Sequence, residues 1–91
     1  MEMLRKLESQ KIDKAFADRC VSIYEKLCPW SKGSGYLSRS CVCVYASGRK
    51  EWVIEGRYHH VVRRFDHEPS DKEINNAIVT EWNMRHDLYM R

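Results

Sequence analysis

No run of apolar residues in this 91-residue chain approaches the roughly 18 that a membrane span needs, and Met1–Ser9 lacks the apolar segment of a secretory signal. No membrane partner is expected, and the cytoplasm is the expected compartment. Glycine and proline are scarce, at four and two residues, which argues against a disordered chain. Internal repeats and low-complexity tracts do not occur. An excess of charge is also missing: 16 Lys and Arg against 13 Asp and Glu give 16 − 13 = +3, well short of a dedicated polycation. The four cysteines are even in number, but without a secretion signal reduced thiols are expected rather than disulfides.

What is present suits one folded domain. Hydrophobic residues at 43% and charged residues at 32% are close to ordinary soluble proteins, and the length supplies one core rather than two. The clearest local instruction is Ser70-Asp71-Lys72-Glu73. It places a Ser and a Glu in capping-box spacing directly before Ile74, Ala77, Ile78, Trp82 and Leu88, which recur at helical intervals. A C-terminal helix is predicted to begin there.

Met1 to Cys28 contains neither glycine nor proline and is dominated by residues that tolerate helix. At about 100° per residue, Ile12, Phe16, Cys20, Ile23 and Leu27 share one face, whereas Met3, Leu4 and Leu7 point nearly opposite. The pattern predicts a main helix over about residues 10–28, with Ser9 as a candidate cap and residues 1–9 as an N-terminal arm or a helix extension. Pro29-Trp30-Ser31-Lys32-Gly33-Ser34-Gly35 then reads as a connection, with Trp30 as a lid over the core.

Ser40–Ala46 and Arg49–Glu55 are rich in β-branched and aromatic residues around a glycine turn, which reads as a hairpin. A three-residue Ala46-Ser47-Gly48 loop sets Val42 opposite Trp52 and gathers Val44 and Ile54 on that side. Cys41, Cys43 and Tyr45 then share the reverse face with Glu51 and Val53. A two-residue turn would invert the arrangement, because one residue of slip reverses every side chain. Arg57–Phe65 supplies a third strand. The expected fold is a single α+β domain, α-β-β-β-α, with both helices on one face of a three-stranded antiparallel sheet.

No motif here names an activity, so function is read from the surface the fold leaves available. Cys41-Val42-Cys43 with His59 and His60 has poor metal-ligand spacing, since structural zinc sites use C-x₂₋₄-C knuckles. Two small semi-buried thiols on one strand face explain it as well, and neither a metal nor another cofactor is expected. A histidine-activated thiol would be a nucleophile, yet no local signature of a hydrolase, kinase or dehydrogenase accompanies it, and no enzyme is expected.

Arg49, Lys50, Arg57, His59, Arg63 and Arg64, interleaved with Tyr45, Tyr58 and Phe65, suit phosphate contact with base stacking. The order helix, three strands, helix also resembles that of the double-stranded RNA-binding domain. The resemblance is confined to element order: that family opens its last helix with a lysine cluster, and the corresponding turn here carries Asp71 and Glu73. A protein-binding surface is expected from Tyr45 and Val53 on the open sheet face with Trp82, Arg85, Tyr89 and Met90 on the last helix, residue types suited to interfaces.

The first expectation is therefore a small non-enzymatic protein-binding module, an accessory or inhibitory protein of the phage-regulator type acting on a larger macromolecular machine. Its partner would be another protein, with a second copy of the chain as a further candidate. A nucleic-acid-binding domain using the basic, aromatic third strand is the alternative, and a thiol- or metal-dependent enzyme comes third.

Overall fold

The structure is a computed structural model that describes the backbone of residues 7–89 and the side chains of residues 7–81. Strand β1 (Leu7–Ile12) is followed by helix α1 (Lys14–Leu27), a 3₁₀ turn at Pro29–Ser31, strands β2 (Cys41–Tyr45), β3 (Lys50–Glu55) and β4 (Val61–Phe65), and helix α2 (Asp71–Tyr89). The α+β class holds, but the antiparallel sheet has four strands, in the order β1-β2-β3-β4.

The added strand corrects the sequence reading of the N-terminus. Residues 10–12 were expected in the helix, and Leu7–Ser9 in an arm or its extension. Instead Leu7 to Ile12 pairs with β2, from Leu7 opposite Tyr45 to Ile12 opposite Cys41, with one irregularity between Leu7 and Ser9. Leu, Glu, Gln and Lys carry good helix propensity, yet a ladder to a neighbouring strand satisfies the same backbone groups and outweighs that weak preference. The helix begins one residue after Asp13, whose Oδ1 accepts from the Phe16 amide at 2.9 Å. Asp13, not Ser9, is the cap.

Beyond that point the helical stripe holds. Phe16 and Cys20 are buried, and Ile23 and Leu27 pack around them at partial exposure. Ile12 shared their phase by coincidence; it lies in β1 and is 54% exposed. On α2, Ile74, Ala77 and Ile78 enter the same cluster as Phe16, Cys20, Leu37 and Ile54, which puts both helices on one face of the sheet. The helix opens as its capping box requires: the Glu73 amide donates to Ser70 Oγ at 3.2 Å, and the Ser70 amide to Glu73 Oε1 at 3.0 Å. Arg19 binds α1 to this entry, donating to the Pro69 carbonyl at 2.7 Å and to Asp71 at 2.9 Å.

The hairpin takes the three-residue loop. Tyr45 N–H donates to Arg49 O at 2.9 Å, Gly48 sits at φ +86°, and Val42 faces Trp52. Ile54 is fully buried beneath the helices and Trp52 packs beside it, while Val42 and Val44 stay half-exposed towards the β1 side of the sheet. Among the described residues no helix is long and apolar enough to cross a membrane.

Because Ile54 joins the sheet to both helices, Ile54→Ala should cost about 2–5 kcal/mol of stability, read by urea denaturation against wild type. A second outcome concerns pH. His67 donates between Asp66 at 2.8 Å and Glu73 at 2.7 Å, bonds that raise its pKa above the ordinary 6.5. The same contacts lower Asp66 below 3.8, and with the Ser70 amide they lower Glu73 below 4.5. The imidazolium share of this tie is full below 6.5 and fades as pH rises through the raised value. The carboxylate share fades as pH falls through the lowered values. Wild type should therefore lose more melting temperature than His67→Ala between about pH 5.5 and about pH 8.

Candidate functional site

Strand alternation sorts the basic residues before any ligand is considered. Cys41, Val53 and Arg64 lie in register across β2, β3 and β4 on the face away from the helices. Arg63 lies opposite Ile54 one residue along and is exposed, its guanidinium 5.7 Å from the Phe65 ring centroid. Lys50 is exposed at the start of β3. Arg57 and His59, expected within a strand running from Arg57 to Phe65, instead belong to the turn at residues 56–60, because the Gly56 and His59 amides close that turn and β4 begins only at Val61. The six basic candidates thus divide among two faces and a turn, and make no single ridge for a phosphate backbone to follow.

Glu51 organises the outer face. Its carboxylate accepts a hydrogen bond from the Tyr45 hydroxyl and lies 3.7 Å from Arg49 and 3.5 Å from Arg64, with its own side chain 15% exposed. Arg49 also sits 5.0 Å from the Tyr45 ring centroid. The bond to Glu51, more than burial, holds the Tyr45 hydroxyl above its usual pKa. Both arginines already face a carboxylate, so each would have to give up that partner to hold a phosphate.

The centre of this face is not open, which corrects the expectation of a free sheet surface. Val53 is 1% exposed and packs with Cys41 and Cys43, each 2% exposed, while Tyr45 lies against them half-buried. Val53 therefore offers no area to a partner, and Tyr45 offers part of a ring. The Trp82, Arg85 and Tyr89 side chains, and Met90 altogether, lie outside the described residues, although α2 runs through Trp82 to Tyr89.

All four cysteines are free and buried. Burial pushes the Cys20 thiol up to about 11, and burial together with the adjacent Cys41 thiol pushes Cys43 up to about 11. Burial also raises Cys28. Protonated thiols are poor nucleophiles and poor metal ligands. His59 Nδ1 lies 3.8 Å from Glu55, and His60 Nε2 lies 2.7 Å from the Tyr36 hydroxyl. Among the described residues no group of three or more His, Cys, Asp and Glu side chains is placed to hold a metal ion.

Two aromatics stand out instead. Trp30 is 71% exposed, not the expected lid, and lies in the 3₁₀ turn that begins at Pro29. Tyr58 is 69% exposed. Their loops are bound to one another: Arg57 N–H donates to the Tyr36 carbonyl at 2.7 Å and its guanidinium to the Ser34 carbonyl at 2.9 Å. The same guanidinium donates to the Tyr58 hydroxyl at 2.7 Å and lies 4.9 Å from that ring's centroid. Tyr36 in turn stacks on Tyr24 of α1 at 5.0 Å. Arg57 is thus a structural clamp. Sequence reading could find Trp30 and Tyr58 as residue types but had no signal for their exposure, which follows from how two distant loops meet.

Comparison with protein-family models, with curated proteins and with solved structures finds no match to this chain.

With all four thiols buried, a disulfide-exchange reagent should label the native protein slowly at neutral pH and all four sites promptly after denaturation. A thiol that reacted fast in the native state would mark an activated nucleophile and contradict this picture.

Proposed function

We propose that this chain is a small non-enzymatic protein-binding module whose contact surface is the pair of joined loops bearing Trp30 and Tyr58. The observation that carries the reading is the exposure of these two rings, 71% and 69%, on loops held together through Arg57. Tryptophan, tyrosine and arginine dominate interface hot spots, since each provides a large contact area with a polar or planar end. Full burial of one such ring contributes on the order of 1.5–3 kcal/mol. Loops already fixed by hydrogen bonds reduce the entropy lost on ordering them against a partner.

The nucleic-acid reading is weaker on specific grounds. Arg49 and Arg64 flank Glu51, His59 faces Glu55, and Arg57 is engaged with Ser34 and Tyr58. A formal charge of +3 leaves little further attraction for a polyanion.

The test begins with affinity capture from the native host, followed by measured affinity for the protein recovered. Trp30→Ala and Tyr58→Ala should each weaken that affinity by roughly tenfold or more, measured on variants whose far-ultraviolet spectra show the fold retained. Arg63→Ala should leave it intact. The reading fails if neither aromatic variant weakens binding. It fails equally if the chain instead associates with RNA or DNA in a salt-sensitive manner abolished by charge reversal at Arg63 and Arg64.

A further inference from the structure

At the end of the sheet where Ile12, Cys41 and Glu55 meet, a cleft of about 370 Å³ is lined by Gln10, Ile12, Arg39, Cys41, Glu55 and His59. Its size falls at the lower end of small-molecule cavities, roughly 300–1,000 Å³. Of its walls only Ile12 is aliphatic, which suits a polar occupant.

Glu55 is the unusual member, a carboxylate whose residue is 7% exposed. Its approaches are all long: Gln10 Nε2 at 3.5 Å, Cys41 Sγ at 3.8 Å and His59 Nδ1 at 3.8 Å. An ionised carboxylate can accept about four hydrogen bonds, and one buried short of donors is costly. Arg39 has the opposite want. Its Nε is buried with no hydrogen-bond partner among the described residues. Nor does any ion pair between described residues join Arg39 to Glu55. A donor and an acceptor of opposite charge line one cavity without meeting.

The frame around them is rigid. The Glu55 amide donates to Ser40 Oγ at 3.2 Å, and Ser40 Oγ donates to the Leu37 carbonyl at 2.8 Å, both inside the protein. Across the turn, the Gly56 amide donates to His60 O and the His59 amide to Gly56 O, each at 2.9 Å. His59 adopts φ +67°, the sole left-handed non-glycine residue among those described, with its ring nitrogen towards Glu55. Such strain in a tight turn persists only where surrounding bonds impose it, and it clusters at ligand sites.

We propose that this cleft binds a small zwitterion of the α-amino-acid type, its ammonium on Glu55 and its carboxylate on Arg39. A simple cation would set a like charge beside the Arg39 guanidinium. A simple anion would face the Glu55 carboxylate. A molecule bearing both charges offers an opposite charge to each side chain at once, and a free amino acid fits the volume. The cleft takes Arg39 and His59 from the loops that bear Trp30 and Tyr58 but is lined by neither aromatic ring, so amino-acid binding lost in Glu55→Gln and partner affinity lost in Trp30→Ala are separate readouts.

Titration of the ¹⁵N-labelled full chain with free amino acids tests this, with ethylamine and acetate as single-charge controls. At least one amino acid should produce saturable shifts at the Gln10 side-chain amide, Arg39 Nε–H and the His59 amide at millimolar concentration, and neither control should. Glu55→Gln and Arg39→Met should each weaken binding by roughly tenfold or more, the loss of one charge-assisted hydrogen bond. Unchanged resonances far from the cleft establish folding, and should one variant fail to fold the other decides. Absence of shifts with every amino acid overturns the proposal. Shifts reproduced by ethylamine alone do so too, as does affinity unaltered in both variants.

Discussion

The register of β2 on β3 is the constraint from which the remaining arrangement follows. A three-residue loop with Gly48 in the left-handed region sets Val42 against Trp52, and alternation then sends Trp52 and Ile54 to the helices. Glu51, Val53 and Glu55 go to the opposite side. A slip of one residue would exchange the two sets and drive two carboxylates under α1 and α2, where burial without partners costs several kcal/mol per charge. The register is therefore held from both faces. Apolar burial favours it on one, and carboxylate desolvation opposes the alternative on the other.

That placement of carboxylates governs the electrostatics of the outer face. Glu51 draws in Tyr45, Arg49 and Arg64, and Glu55 draws His59. Arg49, His59 and Arg64, which look like part of a basic strand when written in a line, become members of local pairs when folded. Between them the small cluster of Cys41, Cys43 and Val53 closes the surface. Exposed aromatic area is displaced to the loops as a result, and the interface argument moves from the sheet to Trp30 and Tyr58. Arg57 connects these levels, since a side chain that reads as a phosphate ligand instead ties the β3–β4 turn to the loop before β2.

Short-range chemistry was legible in the residues themselves. The Ser70 and Glu73 capping box, the Ile74, Ala77 and Ile78 stripe, Phe16 with Cys20 on α1, and the Gly48 turn each depend on neighbours within a few positions. Such patterns pointed to the α+β class and to both helices on one face, but left two hairpin registers open, and the pairing of Val42 with Trp52 was decided by the folded sheet. Leu7–Ile12 was another matter, because its residues favour helix slightly and its strand exists only through pairing with β2, about thirty or more positions away in sequence. The burial of Val53 and Glu55, the outward turn of Trp30 and the meeting of Arg39, Glu55 and His59 around one cleft likewise belong to tertiary structure. Each depends on which distant segment lies alongside, and a sequence records propensity and period but not the contents of the space beside a side chain.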